Sequence, residues 1–317
     1  MSRLLEQGEV FFFYRSKVNQ AEIAGLDDVQ RFYLILVPDH QGLARLFVVG
    51  KKHLPDIIRD RPVAATREWV MNTLTERPDK VGEALRPIVY QTETRGEQHE
   101  GEAIPAGIGR YALFERKGST RLGYRLTQPE TPGPAQKALG ILPESSLVIS
   151  VRNPDVEVPG FPDDKPAYPQ SLQDKFAHKR WINVDDPRLL NYEHAQLLLV
   201  GAHASLEQAD IDLTGKPDLY QTLGVSHGEW QEEPMVEGEF AHPLCKAEPK
   251  AMEVPAPARV AQIFAGIGFP ASGLELKEYA RKRANEREMR VIKQFGDQPY
   301  KDMSDVAKEL GRISAAQ

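Results

Sequence analysis

The sequence has only one cysteine, Cys245, among its 317 residues. A single cysteine excludes an internal disulfide and any zinc site built from several thiolates. A thiolate nucleophile would need a neighbouring base to activate it. We therefore expect Cys245 to pack as a small hydrophobic side chain.

Long apolar runs are also missing. No stretch approaches the roughly 18 residues needed to span a bilayer. The first nine residues, MSRLLEQGE, contain neither the apolar segment nor the small-residue cleavage site of a secretory signal. The sequence therefore predicts a soluble cytoplasmic protein with no membrane partner.

The chain has no strongly basic domain, although its charge is unevenly distributed. The net charge is −6. Residues 156–273 carry 9 basic and 18 acidic side chains, whereas residues 274–294 carry 7 basic and 4 acidic ones. Nucleic-acid-binding proteins usually show a basic domain, so this pattern makes nucleic acid an unlikely partner.

The clearest strand signal is the run Phe32–Val37, six apolar residues closed by Pro38. An unbroken apolar run of this length is typical of a strand buried on both faces. Residues 10–14 and 46–49 have the same character, which predicts an antiparallel unit of three strands. Further strands are predicted at 111–117, 121–126, 147–151, 176–181 and 195–201.

The order of strand, turn, strand, proline loop, strand and polar exit occurs twice. It ends once at Pro55-Asp56 and once at Pro154-Asp155. Two interpretations stay open: a degenerate internal duplication, or the similarity that any two antiparallel units share.

Helices are predicted in three parts of the chain. Thr66 caps a first helix, in which Trp69, Val70 and Leu74 fall at helical spacing, and Pro78 begins a second. Pro217 begins a short helix over 218–223. Helices at 258–265, 274–295 and 304–310 form the C-terminal part.

The proline-rich stretch 153–170 predicts a boundary between domains. We predict an N-terminal α+β domain over 1–155, an acidic α+β lobe over 156–273 and a helical arm over 274–317. The fold class is thus α+β, with antiparallel β units, short helices, two lobes and a C-terminal helical arm.

Several segments resemble a family of uncharacterised proteins found in bacteria and plants. The resemblance is carried by residues 8–19, 27–33 and 47–55, and it extends through 109–111 and 121–124 to 151–154. It covers about half of the chain. Because the family has no established activity, the resemblance implies no catalytic residue.

One motif has the form of a hydrolase nucleophile. The run Gly224-Val225-Ser226-His227-Gly228 matches G-x-S-x-G, in which a strand-to-helix turn exposes the serine. Here a helix is predicted before the motif, where a strand is required. If Ser226 were the nucleophile, His227 or His242 would serve as base and Asp185 would orient it.

Histidines are concentrated in the acidic lobe, and they are the candidate metal ligands. His178, His194 and His203 could converge with carboxylates on a divalent ion. No spacing places two of them on one helix face. Ordinary surface or hydrogen-bonded histidines are the favoured interpretation, and we predict no cofactor.

Two G-x-G-x-x-A matches occur, at 107–112 and 266–271. The first precedes a strand instead of following one, and the second lies between two predicted helices, so neither indicates a dinucleotide site. The basic helix 274–294 contains interleaved glutamates, which favours a solvated or self-docked helix over contact with a partner protein or with nucleic acid.

The sequence contains no coherent catalytic constellation. We therefore expect a non-enzymatic binding or interaction protein, with a protein partner possible through the helix 274–294. The alternative is a hydrolase or metal-dependent enzyme with its site in the lobe 156–273.

Overall fold

The computed structural model describes residues 2–17, 23, 25–57, 66–92, 96–206, 211–226, 230–241, 257–284, 288–289 and 292–315. Contacts divide the chain into two compact units, residues 1–243 and residues 244–317. The division therefore falls at 243/244, whereas the sequence placed boundaries at 155/156 and 273/274. The reason is that strands on both sides of residue 155 belong to the same sheet.

The first unit is built on a closed antiparallel barrel of eight strands. In chain order the barrel strands are β1 (Arg3–Ser16), β2 (Val29–Pro38), β3 (Ala44–Val49), β4 (Arg67–Glu76), β7 (Ile104–Arg116), β8 (Ser119–Gln128), β9 (Glu144–Arg152) and β11 (Gln196–His203). Between β4 and β7 lies a separate hairpin of β5 (Ile88–Thr92) and β6 (Gly96–Glu100). A short strand, β10 (Trp181–Asn183), pairs with β9 outside the barrel.

Each half of the barrel is a run of four strands that neighbour one another in order. The first half is β1 to β4, and the second is β7, β8, β9 and β11. The two first strands, β1 and β7, pair with each other, as do the two last, β4 and β11. A duplicated four-strand unit would give this arrangement, and duplication itself stays a prediction.

The barrel interior is filled with side chains. One cluster of buried residues draws on alternate positions of all eight strands, including Phe12, Leu34, Phe47 and Tyr124. Alternation along a strand sends successive side chains to opposite faces, so this cluster is the inside of the barrel.

A second cluster covers the outer face of β1, β2 and β3. Phe11, Phe13 and Ile35 pack there against Leu223 and Trp230. The covering elements are α1 (Pro78–Ala84), α4 (Leu219–Leu223) and α5 (Glu233–Val236). Two other short helices, α2 (Pro134–Ala138) and α3 (Gln170–Gln173), lie elsewhere in this unit.

The predicted antiparallel unit of three strands is confirmed. β1 pairs with β2, and β2 pairs with β3. Leu34 belongs to the interior cluster and Ile35 to the outer one, so β2 is buried on both faces. The α+β class with antiparallel sheet is likewise found, while the closure of the sheet into a barrel was not expected.

The predicted helix after Thr66 is wrong, because residues 67–76 form β4. Trp69, Val70 and Leu74 match helical spacing, but β4 pairs with β3 on one side and β11 on the other. Two ladders of backbone hydrogen bonds outweigh a local preference that is worth only tenths of a kcal/mol per residue.

The predicted strand at 176–181 is also wrong over most of its length. Residues Asp174–Phe176 form a 3-10 helix, and Ala177 and His178 follow with φ of 45° and 66°. A left-handed backbone cannot continue a strand, so pairing begins only at Trp181.

The second unit is a small helical body with its own core. Its elements are α6 (Pro257–Ile263), β12 (Ala271–Ser272), α7 (Gly273–Ala280), β13 (Pro299–Tyr300) and α8 (Met303–Ala315). Leu276, Phe295 and Val306 belong to one buried cluster. The predicted continuous helix 274–295 is interrupted, because α7 ends at Ala280 and residues 281–283 form a turn.

Within the part of the chain that the structure describes, every helix is too short or too polar to cross a membrane.

Candidate functional site

A buried polar network occupies one end of the barrel interior. Arg45 donates two hydrogen bonds to Glu6, from Nη1 to Oε1 at 2.6 Å and from Nη2 to Oε2 at 2.8 Å. Its Nε donates to Asn191 Oδ1 at 2.7 Å, and the Tyr111 hydroxyl donates to Glu6 Oε1 at 2.7 Å. Burial and the adjacent Glu6 raise the pKa of Tyr111 well above its usual range. The charges of Arg45 and Glu6 are thus paired, and the network is neutral as a whole.

One concave site of the first unit lies where β8 and β9 separate. β8 pairs with β9 only over Arg121–Arg125 and Glu144–Val148. Beyond that stretch β9 pairs with β10 instead. A polar cleft of about 500 Å³ opens there, and we call it the edge cleft. It is lined by Arg3, Glu115, Thr120, Ser150, Lys175, Lys179, all three residues of β10 and Asp185.

Strand β10 forms one wall of the edge cleft and has a single neighbouring strand, β9, among the described residues. The Asn153 N–H donates to the Arg180 carbonyl at 2.9 Å. Residues 153 and 180 are therefore a hydrogen-bonded pair, and such pairs alternate with non-hydrogen-bonded pairs along an antiparallel ladder. Trp181 and Asn183 belong to non-hydrogen-bonded pairs, so their N–H and C=O groups point away from β9. The outer edge of β10 therefore presents backbone donors and acceptors.

Side chains hold β10 in place at this edge. The Asn183 side-chain amide donates to the Gly118 carbonyl at 2.8 Å, which ties the end of β10 to the turn between β7 and β8. On the other side, Trp181 packs edge-on against Phe161 at 5.4 Å between ring centroids. The wall of the cleft is thus fixed at both ends of the strand.

The charges around the edge cleft are mixed. Arg3 and Glu115 form an ion pair at 2.5 Å, and Lys175 lies 3.7 Å from Asp185 and 3.6 Å from Asp186. The side-chain hydrogen bond from Arg188 holds the pKa of Asp186 below its usual range. Lys179 forms no ion pair within the described residues. Among the charged residues that line the cleft, Lys179 is thus the one without an ion pair in the described part of the chain, since Arg3 pairs with Glu115 and Lys175 with Asp185.

The predicted nucleophile, Ser226, does not lie on a strand-to-helix turn. It follows α4, which ends at Leu223 and is capped by Gly224 in the left-handed conformation with φ of 63°. The two predicted bases, His227 and His242, lie outside the described residues. Asp185 lines the edge cleft and pairs with Lys175, so it is committed to a different contact.

The predicted metal ligands fall at separate places in the fold. His194 precedes β11 and His203 ends it, so the length of this eight-residue strand separates them. His178 lies in the turn before β10. Over the described ranges, no group of three or more histidine, cysteine, aspartate or glutamate side chains is arranged to hold a metal ion.

The two glycine motifs form no phosphate loop. Residues 107–112 lie inside β7, and residues 266–271 connect α6 to β12. The sequence placed the first motif before a strand, but it lies within one; the second lies between α6 and α7, in the helix-to-helix connection that was predicted.

The sequence did not indicate the edge cleft. Its lining comes from six separate segments between residues 3 and 185, and only the fold brings them together. One signal was present: Trp181 and Ile182 are good strand formers directly before the breaking run Asp185-Asp186-Pro187.

A scan against protein-family models, a search of curated proteins and a search of solved structures each found no match to this chain.

Proposed function

We propose that the protein is a non-enzymatic binding protein that takes an extended segment of a partner polypeptide in the edge cleft. The observation that supports this is the outer edge of β10, whose backbone groups run along the wall of the cleft. A peptide that adds as a strand to such an edge gains main-chain hydrogen bonds.

The character of the cleft favours a peptide over an apolar small molecule. Small-molecule sites are mostly apolar, whereas this lining is mostly polar. A peptide backbone is itself polar and can exchange its bonds to water for bonds to Trp181 and Asn183. Lys179, which has no ion pair among the described residues, would favour an acidic side chain in the partner.

The alternative of a hydrolase or metal-dependent enzyme has less support. It needs Ser226 or several histidines to converge with carboxylates on one pocket. Ser226 follows α4, while His194 and His203 are at opposite ends of β11.

A partner bound through residues 274–294 also has less support, because Lys277 and Arg283 of this segment are engaged within the second unit. Lys277 lies 3.5 Å from Asp297. Arg283 donates to the Ala265 carbonyl at 2.5 Å and stacks on Tyr279.

Strand addition is tested by removing one outward N–H from β10. Peptides that bind the full-length protein are first selected from a random displayed library. Asn183→Pro removes the outward donor but leaves the ladder to β9 in place, since proline is tolerated at a strand edge that faces solvent. We expect Asn183→Pro to weaken peptide binding about tenfold, measured by calorimetry.

The matched control is Asn183→Ala, which removes the side-chain bond to Gly118 but keeps the backbone N–H. It should change the affinity less than threefold. If the library gave no peptide, or if Asn183→Pro bound as tightly as Asn183→Ala, strand addition at β10 would be wrong.

A further inference from the structure

Four basic side chains on the outside of the barrel are close enough to interact electrostatically, and we call them the basic cluster: Arg116, Lys117, Arg121 and His203. Arg116 ends β7, Lys117 begins the turn into β8, Arg121 lies on β8 and His203 ends β11. The cluster thus draws on three strands of the second half of the barrel.

The strand register places Arg121 on the outside of the barrel. Its neighbours along β8, Leu122 and Tyr124, belong to the interior cluster, so Arg121 points the other way. Arg121 is opposite Phe114 on β7 and Val148 on β9. Phe114 packs outside the barrel with Leu206 and Leu213, in a small cluster separate from the one over β1, β2 and β3.

Arg121 is not compensated by an acid within the described part of the chain. Its Nε is buried and has no hydrogen-bond partner there. Burial lowers the pKa of Arg121, and the nearby Arg116 lowers it further. By contrast, Arg125, four residues further along β8 on the same face, lies 3.4 Å from Glu144. The two arginines share a strand and a face but differ in their counter-charge.

His203 experiences the same excess of positive charge. Burial lowers its pKa, and Arg121, Arg116 and Lys117 each lower it further. Three permanent cations therefore lie close enough to repel a proton on this imidazole.

The Arg121 Nε is a buried donor without an acceptor among the described residues, and leaving such a donor unpaired is costly. We propose that the basic cluster binds a small dianion of the phosphate class, either free phosphate or the terminal group of a small phosphate monoester. The planar fork of Arg121 suits two oxygens of such a group, and Lys117 supplies a second, more mobile charge. This site does not depend on the edge cleft and would remain if the peptide proposal failed.

The test uses full-length protein with inorganic phosphate, glycerol 3-phosphate and sodium chloride at matched ionic strength. We expect both phosphates to raise the unfolding temperature more than chloride does. Tighter binding of glycerol 3-phosphate would identify the ligand as a monoester, whereas equal or weaker binding would identify free phosphate. If neither phosphate exceeded chloride, the proposal would be overturned.

The variants are Arg121→Gln and, as the matched control, Arg125→Gln. By calorimetry Arg121→Gln should weaken phosphate binding at least tenfold, and Arg125→Gln less than twofold. Without phosphate, Arg121→Gln should unfold at the same temperature as the wild type or above it, since it removes an uncompensated cation.

A third variant changes an exposed residue, so that a loss of binding in it cannot be attributed to misfolding. Lys117→Gln changes an exposed turn residue that contributes nothing to the core. It should weaken phosphate binding about threefold or more. Equal losses in Arg121→Gln and Arg125→Gln, or unchanged affinity in Lys117→Gln and Arg121→Gln, would contradict the assignment.

Discussion

At the residue scale, Arg45 and Arg121 differ in how completely their guanidinium nitrogens are hydrogen-bonded. Inside the barrel, the guanidinium of Arg45 has a hydrogen-bond partner at each of its three nitrogens. On the outer face, Arg121 has a buried Nε without a partner among the described residues. The first arrangement supports the fold, and the second is the observation from which we propose an anion site.

The inner network should be essential for stability. Glu6→Gln removes the negative charge and leaves Arg45 buried without a counter-charge. Breaking a buried ion pair costs about 3–5 kcal/mol, and we expect a loss of that size in the free energy of unfolding, measured with urea. Asp79→Asn is the control, because it breaks an exposed pair with Arg77 and should change stability little.

His203 should make stability depend on pH. Its pKa is lowered in the folded state, so below its unfolded value of about 6.5 the unfolded chain binds the proton more strongly. Stability is therefore lost as the pH falls through about 6.5 towards the folded pKa. In phosphate-free buffer, His203→Gln should lose less stability than the wild type between pH 7.5 and pH 5.5. Equal losses in the two proteins would show that the cluster does not act on His203.

At the element scale, long apolar runs identified strands, but local spacing did not identify pairing. The run Phe32–Val37 is apolar on both faces, and this was enough to predict β2. The apolar residues within 67–76 fit both the helical and the strand spacing. These residues form a strand because they pair with β3 and β11. β10 has three residues, too few for any periodicity to show.

The β1–β2 pairing depends on a close approach at Gly8. Gly8 is opposite Pro38, and a Cβ on it would overlap the Val37 carbonyl oxygen and the Tyr111 ring. Gly8→Ala should lower the free energy of unfolding by about 3 kcal/mol or more, because the obstructing oxygen belongs to the backbone of a paired strand.

The control for that change is Gly25→Ala, where no atom lies within 4 Å of the added Cβ. It should alter stability by at most about 0.5 kcal/mol in the same urea titration. Equal effects of the two substitutions would mean that the strands are not packed as described.

At the scale of the whole molecule, the barrel explains why the domain boundary was difficult to place. The proline-rich stretch 153–170 resembles a linker, yet it lies between β9 and β11, which are neighbours in one barrel. A proline-rich composition indicates that a segment is extended, but it does not indicate whether the strands before and after that segment pair with each other. Closure through the β1–β7 and β4–β11 pairs is long-range, and no local pattern encodes it.

The candidate site follows from that same closure. β8 and β9 are no longer paired beyond Val148, and β10 pairs with the rest of β9 instead. The edge cleft lies at this change of partner. None of its lining residues belongs to a motif. From the sequence we could therefore propose a binding protein in general, and this stays a proposal, but no local pattern indicated where a site would lie.

Hydrogen exchange of the backbone amides of Trp181 and Asn183, measured by NMR with and without a library-selected peptide, tests the proposed function most directly. Strand addition would give both amides a new hydrogen-bond acceptor, so their exchange should slow at least tenfold in the complex. The Ile182 amide already faces β9 and should change much less. If the peptide bound while Trp181 and Asn183 exchanged as fast as before, the edge of β10 would not be the binding site.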